Sequence, residues 1–258
     1  MHKMIRIKKI IKEAKGIKSF VFEHKLDAKP GQFIILWIPR LDEKPFGISY
    51  QDNKKFAITV SSVGAFTEKL CKMKEGDLVG IKGPYGNPFT IEGKRIALVA
   101  GGYGAGPIAF LADEAVKQRK KVYLIIGARN KDYLLYLDRF KNSKVKLLAC
   151  TDDGSYGEKG FTTDLLGKMI KKIDKVYACG PEIMMKYVLK LAEANNTDAE
   201  FSLERYMKCG QGLCGQCCVD ETGWRVCKEG PVFNKKQIKQ IKEFANYKRE
   251  KSGKKVKL

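Results

Sequence analysis

Hydrophobic positions change their rhythm twice along the chain. Up to residue 92, short runs rich in β-branched and aromatic residues, at 19–23, 32–38, 56–60 and 78–82, alternate with turn signals. Those signals are Lys29-Pro30-Gly31, Asp52-Asn53 and Gly83-Pro84-Tyr85-Gly86-Asn87. Short strands at regular spacing predict a small antiparallel barrel or sandwich. From 95 to 200 the rhythm becomes strand then helix: 95–100 with 108–118, 122–127 with 133–140, 145–150 with 163–170, and 176–179 with 183–194. Four such units predict a parallel α/β sheet with ligands at the carboxyl ends of its strands. Beyond 200 come a knot of cysteines and a lysine-rich tail, in which Ile238, Ile241 and Phe244 recur at helical spacing over 235–244. The expected class is therefore α+β and multi-domain: an antiparallel β-barrel over 1–92, a parallel α/β domain over 93–200, and a small cysteine-bearing segment with a basic tail over 201–258.

Composition narrows the field. With 44% apolar and 31% charged residues among 258, the chain is neither disordered nor fibrous. The longest apolar stretches, 33–38 and 96–100, are too short to cross a bilayer. The first seven residues alternate charge with aliphatics and offer no continuous apolar region for secretion, so a cytoplasmic location without membrane contact is expected. A net charge of +21 invites a nucleic-acid reading. The basic residues, however, are scattered through 117–121, 168–175 and 235–257, without the aromatic-studded motifs of RNA-binding modules. Charge spread over every surface is the preferred explanation, and no nucleic-acid partner is expected.

The cysteines are more telling. Cys71, Cys150 and Cys179 are isolated, while Cys209, Cys214, Cys217, Cys218 and Cys227 crowd together. Without an export signal, clustered thiols suggest metal rather than disulfides. The spacing is C-x4-C-x2-C, the plant-type [2Fe–2S] pattern, with a fourth Cys after nine residues. Glycines at 210, 212 and 215 suit a backbone that must bring N–H groups up to bridging sulfides. A structural zinc site is the competing chemistry, although zinc ribbons supply two separate C-x2-4-C pairs. Cys218 in place of Cys217 is a second alternative; its adjacency makes it the poorer ligand, and it is expected as a small core residue.

Gly101-Gly102-Tyr103-Gly104-Ala105-Gly106-Pro107 follows an apolar strand and opens a helix, where free N–H groups and the helix dipole favour phosphate. Pro107 takes the place of the last glycine of G-x-G-x-x-G, so a standard Rossmann fingerprint is absent. Pro107 itself suits the first helical position. Cys179-Gly180-Pro181 repeats the theme after the fourth strand. An ordinary strand-to-helix turn would explain one or two of these glycines.

These parts, in this order, resemble the ferredoxin reductase superfamily and, more narrowly, the electron-transfer subunits of NAD-dependent (type B) dihydroorotate dehydrogenases, archaeal members in particular. The likeness is carried by 83–87, by Thr151-Asp152-Asp153-Gly154-Ser155-Tyr156-Gly157, by Ser202-Leu203-Glu204-Arg205-Tyr206-Met207-Lys208-Cys209-Gly210, by Cys227-Lys228-Glu229-Gly230-Pro231-Val232-Phe233, and by the tail around Tyr247-Lys248-Arg249. It spans essentially the whole chain. The resemblance implies FAD on the barrel through an R-P-x-S motif, here Lys44, Pro45, Phe46, Gly47, Ile48 and Ser49, and through a G-x-x-T turn, here Gly64, Ala65, Phe66 and Thr67. Two departures stand out: Lys44 replaces a bidentate Arg with a point charge, and Gly47 occupies a place where a hydroxyl is usual.

The same resemblance implies a [2Fe–2S] cluster on Cys209, Cys214, Cys217 and Cys227. It places NAD over Gly101, Gly102, Gly104, Gly106, Pro107, Gly180 and Pro181, with Cys179 beside hydride transfer and Asp152 and Asp153 as candidates for the ribose hydroxyls. It implies a partner too, an FMN-containing TIM-barrel catalytic subunit in a heterotetramer of two plus two. That partner oxidises dihydroorotate in pyrimidine (UMP) biosynthesis, and electrons run through the cluster and FAD to NAD+. Rival readings are a flavin/iron–sulfur subunit of a hydrogenase, sulfite reductase or ferredoxin oxidoreductase, a zinc-containing binding module, and a basic nucleic-acid-binding protein.

Overall fold

The computed structural model describes residues 2–258. Six antiparallel strands close into a barrel: β1 (Lys3–Ala14), β2 (Ile17–Phe22), β3 (Phe33–Ile38), β4 (Asp42–Gln51), β5 (Phe56–Ser61) and β6 (Leu78–Tyr85), in the order β1-β2-β5-β4-β3-β6. Closure depends on β1. Its first residues pair with β6, Lys3 opposite Ile81, and the remainder pairs with β2, Ile10 opposite Phe20. Register shifts between Ile7 and Lys9 and between Lys12 and Ala14 bend the strand far enough to serve both neighbours. Sequence reading missed this strand and also β4. Met4, Arg6 and Lys8, alternating with Ile5 and Ile7, are its solvent face, and both isoleucines are buried. The barrel interior holds Phe20, Phe22, Ile34, Leu36, Ile48, Phe56 and Ile58. Helix α1 (Ala65–Lys72) lies between β5 and β6 and closes it with Phe66 and Leu70.

The chain then builds a seven-stranded sheet from β7 (Arg95–Gly101), β8 (Lys121–Ala128), β9 (Lys146–Thr151), β10 (Glu158–Lys159), β11 (Lys175–Cys179), β12 (Asp198–Ser202) and β13 (Val232–Asn234). The order is β10-β9-β8-β7-β11-β12-β13, all parallel except β13. β7 is buried from Ile96 to Gly101, the pattern of a strand covered on both faces. The helices are α2 (Ala105–Lys117), α3 (Leu137–Lys141), α4 (Thr162–Gly167), α5 (Glu182–Ala194) and the single turn α6 (Lys235–Ile238). Three expected helices come out shorter. The stretch 163–170 is α4 only as far as Gly167, with a separate single turn at Ile170–Lys172. The stretch 133–140 contains only α3, because Tyr136 sits at φ 62, a left-handed conformation that stops a helix from running through it. In the tail, Ile238, Ile241 and Phe244 are all buried as their spacing foretold, but regular helix ends at Ile238. A final hairpin, β14 (Tyr247–Arg249) with β15 (Lys255–Lys257), was not foreseen.

The cysteine-bearing segment has no core of its own. Cys217, Val226, Cys227, Phe233, Ile241 and Phe244 share one apolar cluster with Val99, Val176 and Phe201 of the sheet, and β13 completes that sheet. A segment this short cannot bury enough surface alone, so it borrows a face. Phe110 of α2 plugs into the barrel core, tying the sheet to the barrel as well. Among the described residues no helix is long and apolar enough to cross a membrane.

Candidate functional site

Two cavities open where the carboxyl ends of the sheet strands face the barrel, the place where open α/β sheets take ligands. The smaller, 250 Å³, runs along Pro45, Phe46 and Gly47 of β4, past Thr59 and Thr67, to Cys179, Ser202 and Leu203 at the ends of β11 and β12. The larger, 870 Å³, lies over the ends of β7, β8 and β9, walled by Gly101, Gly102, Gly127, Cys150, Asp152, Thr162 and Pro181.

The expected barrel residues divide between wall and support. Pro45, Phe46, Gly47 and Thr67 line the smaller cavity; Lys44, Ile48, Ser49, Gly64, Ala65 and Phe66 do not. Thr67 Oγ1 accepts from the Val63 and Gly64 N–H groups at 3.0 and 3.1 Å, shaping the turn that enters α1. Phe66 packs on Phe46, with ring centroids 6.1 Å apart. Ile48 is a barrel core residue. The Ser49 hydroxyl is buried and accepts from Thr59 at 3.1 Å, while its carbonyl accepts from the Arg139 guanidinium at 3.1 Å. The missing hydroxyl at 47 has a structural reason. A Cβ there would come within 2.6 Å of Pro107 Cγ, so Gly47 and Pro107 are one packing solution between barrel and helix. Lys44 is held by Asp42 and by the Tyr206 hydroxyl at 3.5 Å, its ammonium 5.1 Å from that ring.

The glycines divide in the same way. Gly101, Gly102 and Pro181 line the larger cleft, and Pro107 the smaller cavity. Gly104 and Gly106 turn inward: a Cβ on Gly104 would lie 2.5 Å from the Cys179 carbonyl oxygen, and one on Gly106 would rest on Ser49 and Thr59. Gly180, at φ 148, passes against the backbone of Gly101. Pro107 is the third residue of α2 rather than the first, still within the turn whose N–H groups have no helical partner. Of the acidic pair, only Asp152 reaches the cleft; Asp153 accepts from the Ser155 amide and hydroxyl at 2.9 and 2.6 Å.

Cys179 lies buried in the smaller cavity's wall. Burial, with the charge of Glu204 added, pushes its thiol pKa up, so the group stays protonated. Tyr103, Glu204 and Arg205 line the same cavity and went unnoticed as site residues. In the sequence their motifs speak through their glycines and their likeness only, and a contact between positions 103 and 204 leaves no periodic trace. Tyr103 donates to Glu204 Oε2 at 3.1 Å. Glu204 keeps solvent contact but is crowded by protein at longer range, and that crowding raises its carboxyl pKa despite the hydrogen bond from Tyr103.

The cysteine loop follows directly. Met207 lines the smaller cavity, and Gly210 packs so closely on Ile35 that a Cβ would come within 2.8 Å. Gly210, Gly212 and Gly215 have φ of 70, 77 and 68, and the turns they permit aim backbone donors at sulfur. Gly212 N–H reaches Cys227 Sγ at 3.1 Å, Gln211 and Leu213 N–H reach Cys209 Sγ at 3.4 Å, and Cys227 N–H reaches Cys217 Sγ at 3.4 Å. Burial opposes ionisation of Cys209, yet the N–H groups of Gln211, Cys214 and Leu213 bring its pKa down to about 6. Cys227 moves the other way, pushed up to about 12 by burial and by Cys217. Cys214 favours the thiolate of Cys209 and Cys217 opposes that of Cys227, so the thiols act on one another in two pairs. Among the described residues no three His, Cys, Asp or Glu side chains gather as one metal ion would require. Two thiol pairs wrapped in N–H donors fit a two-iron core, which takes two thiolates on each iron. Cys217 is buried and Cys218 only half-buried, its backbone bridged to Arg225, so Cys218 is less enclosed than a core residue.

Comparison with known proteins agrees with this layout. Residues 204–239 match the iron–sulfur cluster binding domain of dihydroorotate dehydrogenase B, and residues 98–190 match an oxidoreductase NAD-binding domain. A Methanocaldococcus jannaschii protein named probable dihydroorotate dehydrogenase B (NAD(+)), electron transfer subunit, is 50% identical over 97% of this chain and 96% of its own. A Pyrococcus horikoshii protein of the same name is 46% identical over 96% of each. Among solved structures, an NADH-dependent reduced ferredoxin-NADP oxidoreductase studied for flavin-based electron bifurcation superposes with a TM-score of 0.84 at 30% identity, covering 94% of this chain and 92% of that one. A barrel, a parallel sheet and a cysteine loop meeting at two adjoining cavities are the expected architecture, and identity of this extent over nearly full length settles the membership: the chain belongs to the family of electron transfer subunits of dihydroorotate dehydrogenase B (NAD+), an oxidoreductase component that works with a catalytic partner subunit.

Proposed function

We propose that this chain carries electrons from dihydroorotate oxidation, performed in an FMN-containing TIM-barrel partner, to NAD+. The complex would be a cytoplasmic heterotetramer of two plus two serving pyrimidine biosynthesis. A [2Fe–2S] cluster on Cys209, Cys214, Cys217 and Cys227, FAD in the smaller cavity and NAD in the larger cleft are the cofactors of this reading. A flavin links a one-electron cluster to a two-electron nicotinamide because it exchanges electrons both singly and as hydride.

The chain's own residues hold these centres close and dry. Pro45, Phe46 and Gly47 offer an apolar shelf, and Thr67 orders the turn at α1 that would face the flavin pyrophosphate. Cys179, kept as a neutral thiol, brings no negative charge to the place where hydride moves. Asp152 on the wall of the larger cleft would accept from ribose hydroxyls and repel a 2′-phosphate, favouring NAD over NADP. Leu213, 81% exposed at the tip of the cysteine loop, presents an apolar contact for the catalytic partner beside the cluster.

One observation carries this reading: Met207 and Cys209, two residues apart, join the cysteine loop to the smaller cavity, and that cavity shares walls with the larger cleft. The test is anaerobic co-expression with a candidate catalytic subunit, with flavin and iron quantified and dihydroorotate-dependent NAD+ reduction assayed. Cys214→Ser should remove the iron and the partner-dependent rate while sparing NADH oxidation by a dye that collects electrons from the flavin. Equal loss of both activities, or stoichiometric zinc in place of iron, would overturn it.

A further inference from the structure

The two cavities share three wall residues: Ser61, Val63 and Tyr103. Ser61 and Val63 sit at and just beyond the end of β5. Tyr103 comes from the opposite side, on the short turn Gly102–Gly104 that leads into α2. Its side chain is 49% exposed, and its hydroxyl donates to Glu204 Oε2 at 3.1 Å. Among the described residues the Glu204 carboxylate has no other hydrogen-bond partner. The Tyr103–Glu204 contact therefore ties the glycine turn to the strand that leads into the cysteines, across the boundary between the cavities.

The turn is fixed on one side and free on the other. Gly104 is pinned beneath the Cys179 carbonyl, whereas Gly102, at φ 54, has nothing within 4 Å of where a Cβ would lie. Hydride transfer needs its reacting atoms about 3–3.5 Å apart. With flavin in the smaller cavity and nicotinamide in the larger cleft, a tyrosine ring in the shared wall would stand between the two reacting atoms.

We propose that Tyr103 is a gate, held shut by Glu204, which must swing out before nicotinamide can meet the flavin. The proposal rests on the cofactor placement given above. Tyr103 is then a positioning residue, and the closed state lowers the apparent affinity for NADH by the fraction of molecules that are shut. Opening would require only loss of the Tyr103 hydrogen bond and movement about Gly102.

Steady-state NADH–dye kinetics on the flavin-loaded chain provide the test. Tyr103→Phe, which keeps the ring and removes the bond, should lower the KM for NADH by about fivefold. Glu204→Ala should do the same, and the double variant should show no further fall. ADP-ribose, which occupies the cleft without a nicotinamide, should keep its inhibition constant within about twofold. General damage to the site would raise KM and weaken ADP-ribose as well, so the direction separates a gate from a merely structural contact. Should KM stay level or rise in Tyr103→Phe, or should the two single effects add, the gate is overturned while the reductase reading stands. A wild-type chain that binds no flavin, or that passes no electrons from NADH to dye, overturns both.

Discussion

The glycine turns at the sheet edge and the cysteine loop beside them meet the same demand, a fixed backbone path at the wall of a cavity, by opposite means. At 101–107 and 179–181 the backbone is fixed by packing. β7 and β11 are paired along their length, Gly104 lies under the Cys179 carbonyl, and Gly180 lies against Gly101. Between β12 and β13 the chain has no helix and no strand, only isolated bridges at Asn87–Pro231 and Cys218–Arg225. There, beyond the apolar contacts of Cys217, Val226 and Cys227 with the sheet, the ties are ionic. Arg205 binds Glu182 at 2.6 Å and Glu243 at 2.5 Å, Arg225 binds Glu229, and Asp220 holds the terminal hairpin. A cofactor cradle can thus be made from regular structure, which is rigid without a ligand. It can also be made from a loop pinned by a few charged side chains, which depends on each pin.

Arg205 gives the largest expected break in that comparison. Its side chain and that of Glu243 are almost wholly buried, and Glu182 nearly so. Arg205→Met would leave two carboxylates buried without their cation, costing about 3–5 kcal/mol of stability. The fall in denaturant midpoint should come with faster loss of iron, while the barrel retains its flavin. A cost below about 1 kcal/mol would mean that packing, not charge, holds the loop.

The packed turn should yield less. Gly104 has an ordinary helical φ of −59, so alanine brings no backbone strain there, only a Cβ 2.5 Å from a carbonyl oxygen. Gly104→Ala should cost about 1–3 kcal/mol and disturb Cys179 with it. Gly167→Ala, at the end of α4 with open space around it, should be neutral or stabilise by about 0.5–1 kcal/mol. Equal melting shifts for the two variants would show that the Gly104 contact is relieved at no cost.

The contrast also explains what could be read from the sequence. Packed regular structure leaves a periodic trace, so the change from short strands to strand–helix units announced the barrel and the sheet. The C-x4-C-x2-C spacing announced the cluster loop because its donors are local in sequence. Ionic pins leave none: nothing near Arg205 points to Glu243, and nothing near Tyr103 points to Glu204. β1 was missed for a different reason. Its alternation through Ile7 is plain, but sequence reading uses it only to reject a secretion signal, and Lys8, Lys9 and Lys12 break up the half-buried pattern that follows. Gly47 looked like a lost ligand until Pro107 was seen to fill the same space.

The smallest expected effect, and the finest probe of ionic pinning, concerns Asp220. The Tyr247 hydroxyl, Lys255 and Arg249 all donate to its carboxylate, holding its pKa well below the ordinary carboxylate value. A carboxyl whose pKa is lower in the folded state stabilises that state fully above its unfolded pKa of about 3.9. The contribution is lost as pH falls from there through the folded value. The hairpin β14–β15 should therefore stay docked at neutral pH and loosen only in strong acid, seen as faster hydrogen exchange at 247–257 with barrel amides unchanged. Asp220→Asn should reproduce the loosening at pH 8, where trypsin would cut the lysines of the hairpin several-fold faster. High salt should act in the same direction, because these pairs are partly exposed and screening reaches them. If acid does not speed exchange at 247–257 and neither salt nor the Asn variant speeds cleavage, the apolar contacts of Ile241 and Phe244 hold the tail by themselves, and pinning by charge stops at Arg205.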